Sequence, residues 1–163
     1  MNLKDTINED IKSAMKSGLN DEASVLRFLN SAIKNKELEK RNRLSKEGQP
    51  LAELERLSKL VDEEVINVIF GEIKKRKESV AQYEKGGRED LAKKEAVELE
   101  ILKKYVPEEM SEGELRPIVK KKIAEINGVT MKDFGKIMSS VMAEVKGRAG
   151  GELAKKIIEE ELK

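Results

Sequence analysis

The chain has 163 residues, 40% of them charged and 3% aromatic, with 33 Lys plus Arg against 32 Asp plus Glu. That length suits one domain or a pair of small ones, and the near-even charge gives no global pull toward a polyanion or a membrane, so any such site has to be local. Neither cysteine nor histidine occurs, which excludes disulfides, thiolate chemistry, imidazole acid-base catalysis and the usual zinc ligand sets.

Abundant Ala, Glu, Lys, Leu and Ile without strand-type alternation predict an all-α chain. The opening "MNLKDTINEDIK" is charged and lacks a hydrophobic signal core, and no apolar run approaches the ~18 residues of a membrane span. A soluble, cytoplasmic protein that does not engage membranes is the expectation.

In chain order, Leu3, Ile7, Ile11, Ala14 and Met15 recur at helical spacing up to Gly18. Asn20 and Asp21 are expected to cap a second helix, whose face of Val25, Leu26, Leu29, Ala32, Ile33 and Leu38 runs on toward Arg43 before "KEGQP" breaks it. Leu51, Leu54, Leu57 and Leu60 suggest further helical turns, and Asp62 reads as a fresh N-cap. Periodicity leaves open whether Leu51 to Tyr83 is one helix or two. The stretch through Val65, Ile69 and Ile73 ends at Gly86-Gly87, and a helix carrying Leu91, Leu99 and Leu102 is stopped by Pro107. Antiparallel helices on short links read as a bundle over residues 1–106, with "VPEEMS" as the boundary.

Residues 107–163 read as a small three-helix subdomain, near the lower size limit for independent folding. Ser111 and Glu114 fit a capping box, but Pro117 would then fall inside the helix, so a one-turn start or a helix beginning near Leu115 is expected. Its stripe of Leu115, Ile118, Val119, Ile123 and Ile126 ends at Asn127-Gly128. Thr130 and Asp133 cap a helix with Phe134, Ile137, Met138, Val141, Met142 and Val145 on one side, which Gly147 ends. The last helix starts between Gly150 and Glu152 and buries Leu153, Ala154, Ile157 and Ile158.

The turn "KGRAGG" is the first candidate for chemistry. A helix start offers unpaired N–H groups and partial positive charge, so a loop of small residues feeding it lets a phosphate approach the backbone. Gly150 and Gly151 precede the last helix, Lys146 and Arg148 flank the turn around Gly147, and Lys132 and Lys136 lie one turn apart opposite the apolar stripe of the preceding helix. The same residues also read as a helix stop, a tight turn and solvated charge, and the spacing of a Walker loop is absent.

The second candidate, "EIKKRKESVAQYEKGGRED", interleaves Lys74, Lys75, Arg76, Lys77, Lys85 and Arg88 with acidic residues, as on a solvated helix face with side-chain pairs three or four apart. Tyr83 reads as a packing residue. The carboxylate runs at Glu95, Glu98 and Glu100, and at Glu159 to Glu161, lack the apolar surroundings that raise a catalytic pKa. No catalytic residue, metal site or cofactor is expected.

The strings "RKES" and "KGGREDLAKKE", "LKKYVPEEMSEGEL", and "GKIM" followed by "VKGRAGG" resemble, in their order and spacing, the GatB/YqeY family. The resemblance covers nearly the whole chain and is strongest from Asp62 onward. It implies a helical bundle followed by a three-helix subdomain, the module that forms the C-terminal tail of the tRNA-dependent amidotransferase B subunit and helps grip misacylated tRNA. The chain looks like a free-standing form of that tail. Lys146, Gly147, Arg148 and Gly151 match the family's K-G-R-x-x-G tail and Gly135-Lys136 its G-K pair, while Gly150 stands where an Asp is common.

The expected function is therefore a non-catalytic RNA-binding accessory module, with tRNA as the favoured ligand and an amidotransferase or aminoacyl-tRNA synthetase as further candidate partners. A helical protein-interaction adaptor is the alternative. The family's enzyme label, a carbon–nitrogen ligase with glutamine as amido-N donor, is a third reading that requires a larger complex, since the chain has no Cys nucleophile, P-loop or amidase Ser-Lys arrangement.

Overall fold

The computed structural model describes residues 2–162. They form eight α-helices, α1 Leu3–Lys16, α2 Asn20–Lys46, α3 Leu51–Ser58, α4 Asp62–Lys85, α5 Glu89–Lys103, α6 Glu112–Ala124, α7 Phe134–Val145 and α8 Gly151–Glu161, plus a 3-10 turn at Met131–Asp133. No strand occurs among the described residues. The chain divides into two compact units, one ending at Val106 and one starting at Pro107.

In the first unit, α4 and α5 form a hairpin and α2 packs against both, while α1 packs along α2, its start reaching Glu37 through Lys4. Ile7, Ile11, Leu26, Leu29, Ile33, Val65, Ile69, Ile73 and Leu102 meet in one core. The apolar face of α2 ends at Ile33, its last buried residue. Beyond it the helix is held by α3, which buries Leu54. Leu51 to Tyr83 is thus two helices, separated at Lys59–Val61.

Three helices of this unit stop by one device. Leu19 N–H bonds Ala14 O at 2.9 Å and Gly18 N–H bonds Met15 O at 3.4 Å, and the same pair of bonds recurs at Gly48-Gln49 and Gly87-Arg88. Each is a Schellman stop that needs a left-handed residue, and Gly18, Gly48 and Gly87 supply φ of 71°, 84° and 69°.

Two expected caps are reassigned. Asn20 is already inside α2, and Leu19 stands at the cap position without a side-chain bond. Asp62 does not cap its own helix: its Oδ1 accepts the Leu3 N–H at 2.9 Å, satisfying a free donor at the start of α1. Glu64 instead reaches back to accept the Val61 N–H at 3.0 Å.

In the second unit α6, α7 and α8 pack pairwise around Leu115, Val119, Ile137, Val141, Ala154, Ile157 and Ile158. The first of these helices corrects the expectation of a late or interrupted start, since it runs unbroken from Glu112 with Pro117 inside it. The Ser111–Glu114 capping box fixes its first turn, with Ser111 N–H bonding Glu114 Oε2 at 2.8 Å. Arg116 then ties it to α8 through Glu160 and Glu161, both at 2.7 Å. Pro117 removes only the donor that the Gly113 carbonyl would have used. The Thr130–Asp133 box caps the 3-10 turn that leads into α7.

Candidate nucleic-acid interface

The seven residues singled out in the sequence lie on the 3-10 turn, α7, the turn after it, and the start of α8. Lys132 is exposed on the 3-10 turn and Lys136 in the first turn of α7, and Lys146 is exposed at the end of α7. At ~1.5 Å rise per residue, about 15 Å of helix separates Lys136 from Lys146. The cations therefore form two pairs at opposite ends of one helix and do not meet at a point.

The turn itself differs from a plain glycine stop. Lys146, not Gly147, is the first left-handed residue, with φ 49° and ψ 44°. Gly147 follows at φ 80°, and Arg148 N–H closes the turn on Val145 O at 2.9 Å. A side chain in the left-handed region costs about 1–2 kcal/mol, so a Lys here is conformationally unfavourable.

Arg148 is half-buried. Its Nε donates to Glu108 O at 3.2 Å, and its carbonyl accepts the Met110 N–H at 2.7 Å. The segment at Glu108–Met110 is thus strapped along the turn and holds Arg148 in place. Sequence reading missed this segment's role, because "VPEEMS" signals only a helix stop and a domain boundary, and backbone acceptors leave no mark in side-chain patterns. Glu114, legible in the sequence only as half of a capping box, also lies close enough to feel Arg148, though its downward pKa shift comes first from the Ser111 N–H.

Gly150 stands at the N-cap of α8 with extended backbone, φ −68° and ψ 140°, and no side-chain cap bond. A Cβ there would meet nothing within 4 Å. Ala154 N–H is the first to close on Gly150 O, so the N–H groups of Gly151, Glu152 and Leu153 are the free donors of the helix start. Gly151 lies against α7, where an added Cβ would sit 3.6 Å from Met138 Cε.

The second basic stretch is only partly the solvated face expected. Lys74 pairs with Glu78, and Lys75 with Glu72, at helical spacing. Arg76, however, is turned inward and only 8% exposed. It forks between Glu72 and Glu98 from the neighbouring helix. Tyr83 is half-buried at the end of α4, and its carbonyl accepts the Arg88 N–H at 2.8 Å. The carboxylate runs are engaged in ion pairs: Glu100 with Lys103, Glu159 with Lys155, and Glu160 and Glu161 with Arg116. Among the described residues no group of three or more acidic side chains is placed to hold a metal ion, and no helix is long and apolar enough to cross a membrane.

The geometry is that of a small all-α protein in two units, with an open helix start beside cationic residues. The chain matches the profile of the Yqey-like proteins over residues 4–162, and it belongs to that family. An uncharacterized protein of Schizosaccharomyces pombe is 34% identical over 110 residues, covering 68% of this chain and 76% of the relative. The mitochondrial protein "altered inheritance of mitochondria protein 41" of Kluyveromyces lactis is 33% identical over 100 residues, 61% of this chain but 45% of that protein. Its namesake in Pyrenophora tritici-repentis is 27% identical over 142 residues, 86% of this chain and 69% of the relative.

Proposed function

We propose that the chain is a non-catalytic RNA-binding accessory module, with tRNA as the favoured ligand, working in the cytoplasm and contacting phosphates through the second unit. The observation that carries the reading is the uncapped start of α8: Gly150 leaves the first N–H groups without a side-chain acceptor, and Lys146 and Arg148 lie on the turn that feeds it. Backbone donors at a helix start, together with adjacent cations, suit a phosphate. Such contacts position a nucleic acid without reading its sequence. Lys132 and Lys136, at the far end of α7, would meet a phosphate farther along the backbone.

A salt titration of tRNA binding tests this. Replacing Lys146 and Arg148 by Ala should weaken binding and flatten the log K against log salt slope by about 2, since each of the two cations neutralises one phosphate in the wild type. Equal slopes for the wild type and the double variant would refute the reading. Exposed apolar side chains at Leu38, Leu51 and Val61, 54%, 82% and 62% exposed, favour a second reading as a protein-interaction adaptor. Capture of partners that survives RNase treatment would support it.

A further inference from the structure

The first unit carries a groove that the phosphate turn does not use, along the seam of α2 and α4. One stretch, of about 720 Å³, is lined by Ala32, Lys36, Arg43 and Gly71, and the next by Ser24, Phe28, Ser79 and Glu95. Glu72 and Lys75 line both, so the two stretches are continuous. The helices are antiparallel, since Lys40 meets Glu64 at one end and Phe28 lies over Arg76 at the other. From Ser24 to Arg43 the groove is about 28 Å long, by the rise per residue of a helix.

The groove holds a knob and a hollow. Among the two Tyr and three Phe of the chain, Phe28 alone is exposed, at 58%. The Arg76 guanidinium, 5.5 Å from the ring centroid, lies against one face of the ring and leaves the other to solvent. With Lys40 level with Glu64 and Phe28 with Arg76, Ala32 is level with Glu72 and its neighbour Gly71. Gly71 is exposed in the middle of α4, where glycine weakens a helix, and an added Cβ would meet nothing within 4 Å. The chain's own packing therefore gives no reason for a glycine there. Charge is also left over: half-buried Glu95 enters no ion pair among the described residues. Lys36 is held only by an exposed pair with Glu39, a kind of contact that holds a side chain weakly.

A knob beside a hollow on one face, one helical turn apart, is what a two-fold contact between identical surfaces requires. A helix from an unrelated protein would fill the hollow but would have no need of the knob. Laying two copies of α2 antiparallel, with Phe28 of one level with Ala32 of the other, sets the two-fold axis at the level of Asn30. Lys36 and Ser24 are equally far from Asn30 on either side, so Lys36 of one copy arrives at Ser24 of the other, where Glu95 lines the groove. We propose that this groove is a homodimer interface, in which Phe28 of each copy enters the Ala32–Gly71 hollow of the other and Lys36 of each pairs with the other's Glu95. A face about 28 Å long and two helices, or about 20 Å, wide spans about 560 Å² per copy. That is below the ~800 Å² per partner of a standard interface, so the dimer should form in the range of about 10–100 µM.

Sedimentation equilibrium of the full chain from about 1 to 500 µM tests this, and the mass should rise toward twice that of the monomer. Gly71→Leu fills the hollow and should weaken the dimer about tenfold or more, while the melting temperature of the dilute monomer holds or rises, because leucine favours a helix. A loss of dimer in that variant is therefore not a loss of fold. Lys36→Glu and Glu95→Lys should each weaken the dimer, and the two together should regain it, as expected of a direct charge pair. A chain that stays monomeric across the range overturns the proposal and leaves the groove to a helix of another protein. A dimer that survives Gly71→Leu, or a double charge swap that regains nothing, overturns it as well. No residue of the second unit takes part, so the RNA reading stands or falls separately.

Discussion

At the scale of single residues, the "KGRAGG" turn is built from choices that stability alone does not favour. Lys146 occupies a left-handed position that Gly adopts freely, and Gly150 occupies an N-cap position where Asp would fit with nothing within 4 Å of its Cβ. Gly150→Asp should therefore stabilise the second unit by a few tenths of a kcal/mol, through a side-chain bond to the free N–H groups. The same carboxylate would fill the proposed phosphate position, so tRNA affinity should fall while the melting temperature rises. Thermal melts and binding isotherms on one protein sample check both halves. Unchanged affinity with the expected stabilisation would mean the helix start is not where phosphate binds.

At the scale of elements, capping and packing decided outcomes that propensity left ambiguous. Pro117 costs about 3 kcal/mol in an ordinary helix interior, yet α6 runs through it because the capping box holds one end and the Arg116 bridges hold the helix to α8. Pro117→Ala restores the donor for the Gly113 carbonyl and should raise stability by about 1–3 kcal/mol, less the entropy the unfolded chain regains. Urea unfolding of the two variants measures this, and a lower midpoint for the Ala form would show that the proline is strained nowhere. The three Schellman stops of the bundle were legible, because Gly at a helix end has few other uses. The Asp62 bond to Leu3 was not, since its partner lies 59 residues away.

At the scale of the whole molecule, the absence of histidine leaves no ordinary side chain titrating between about pH 6 and 8, so stability should be flat there. Below that range the carboxylates matter. Arg116 and Lys156 hold Glu112 below its ordinary 4.5, the Ser111 N–H and hydroxyl do so for Glu114, and Lys122 for Glu144. A depressed folded pKa contributes stability that is present above the unfolded value and is lost as pH falls through the folded one. The stability of the second unit should thus begin to fall as pH drops below about 4.5, read as a falling urea midpoint by far-UV circular dichroism. In the first unit burial and the 2.6 Å bond to Asp10 keep Tyr105 protonated well above its ordinary 10.0, so stability there should decline as pH rises past that value.

The helical class, the order and rough bounds of the helices, and the family were all readable from the residues in order along the chain. These depend on local periodicity and on Gly, Pro and capping residues, whose effects act within a turn or two. Tertiary structure alone decided which charges are solvated and which are engaged. "KKRKES" reads as a run of equivalent surface cations, but the approach of α2 and α5 buries Arg76 between two carboxylates and beneath Phe28 while leaving Lys74 and Lys75 outside. Arg148 likewise reads as a free cation until Glu108 and Met110, some 40 positions earlier, strap it down. Burial and hydrogen bonding across such separations follow from packing, which periodicity along the chain does not encode.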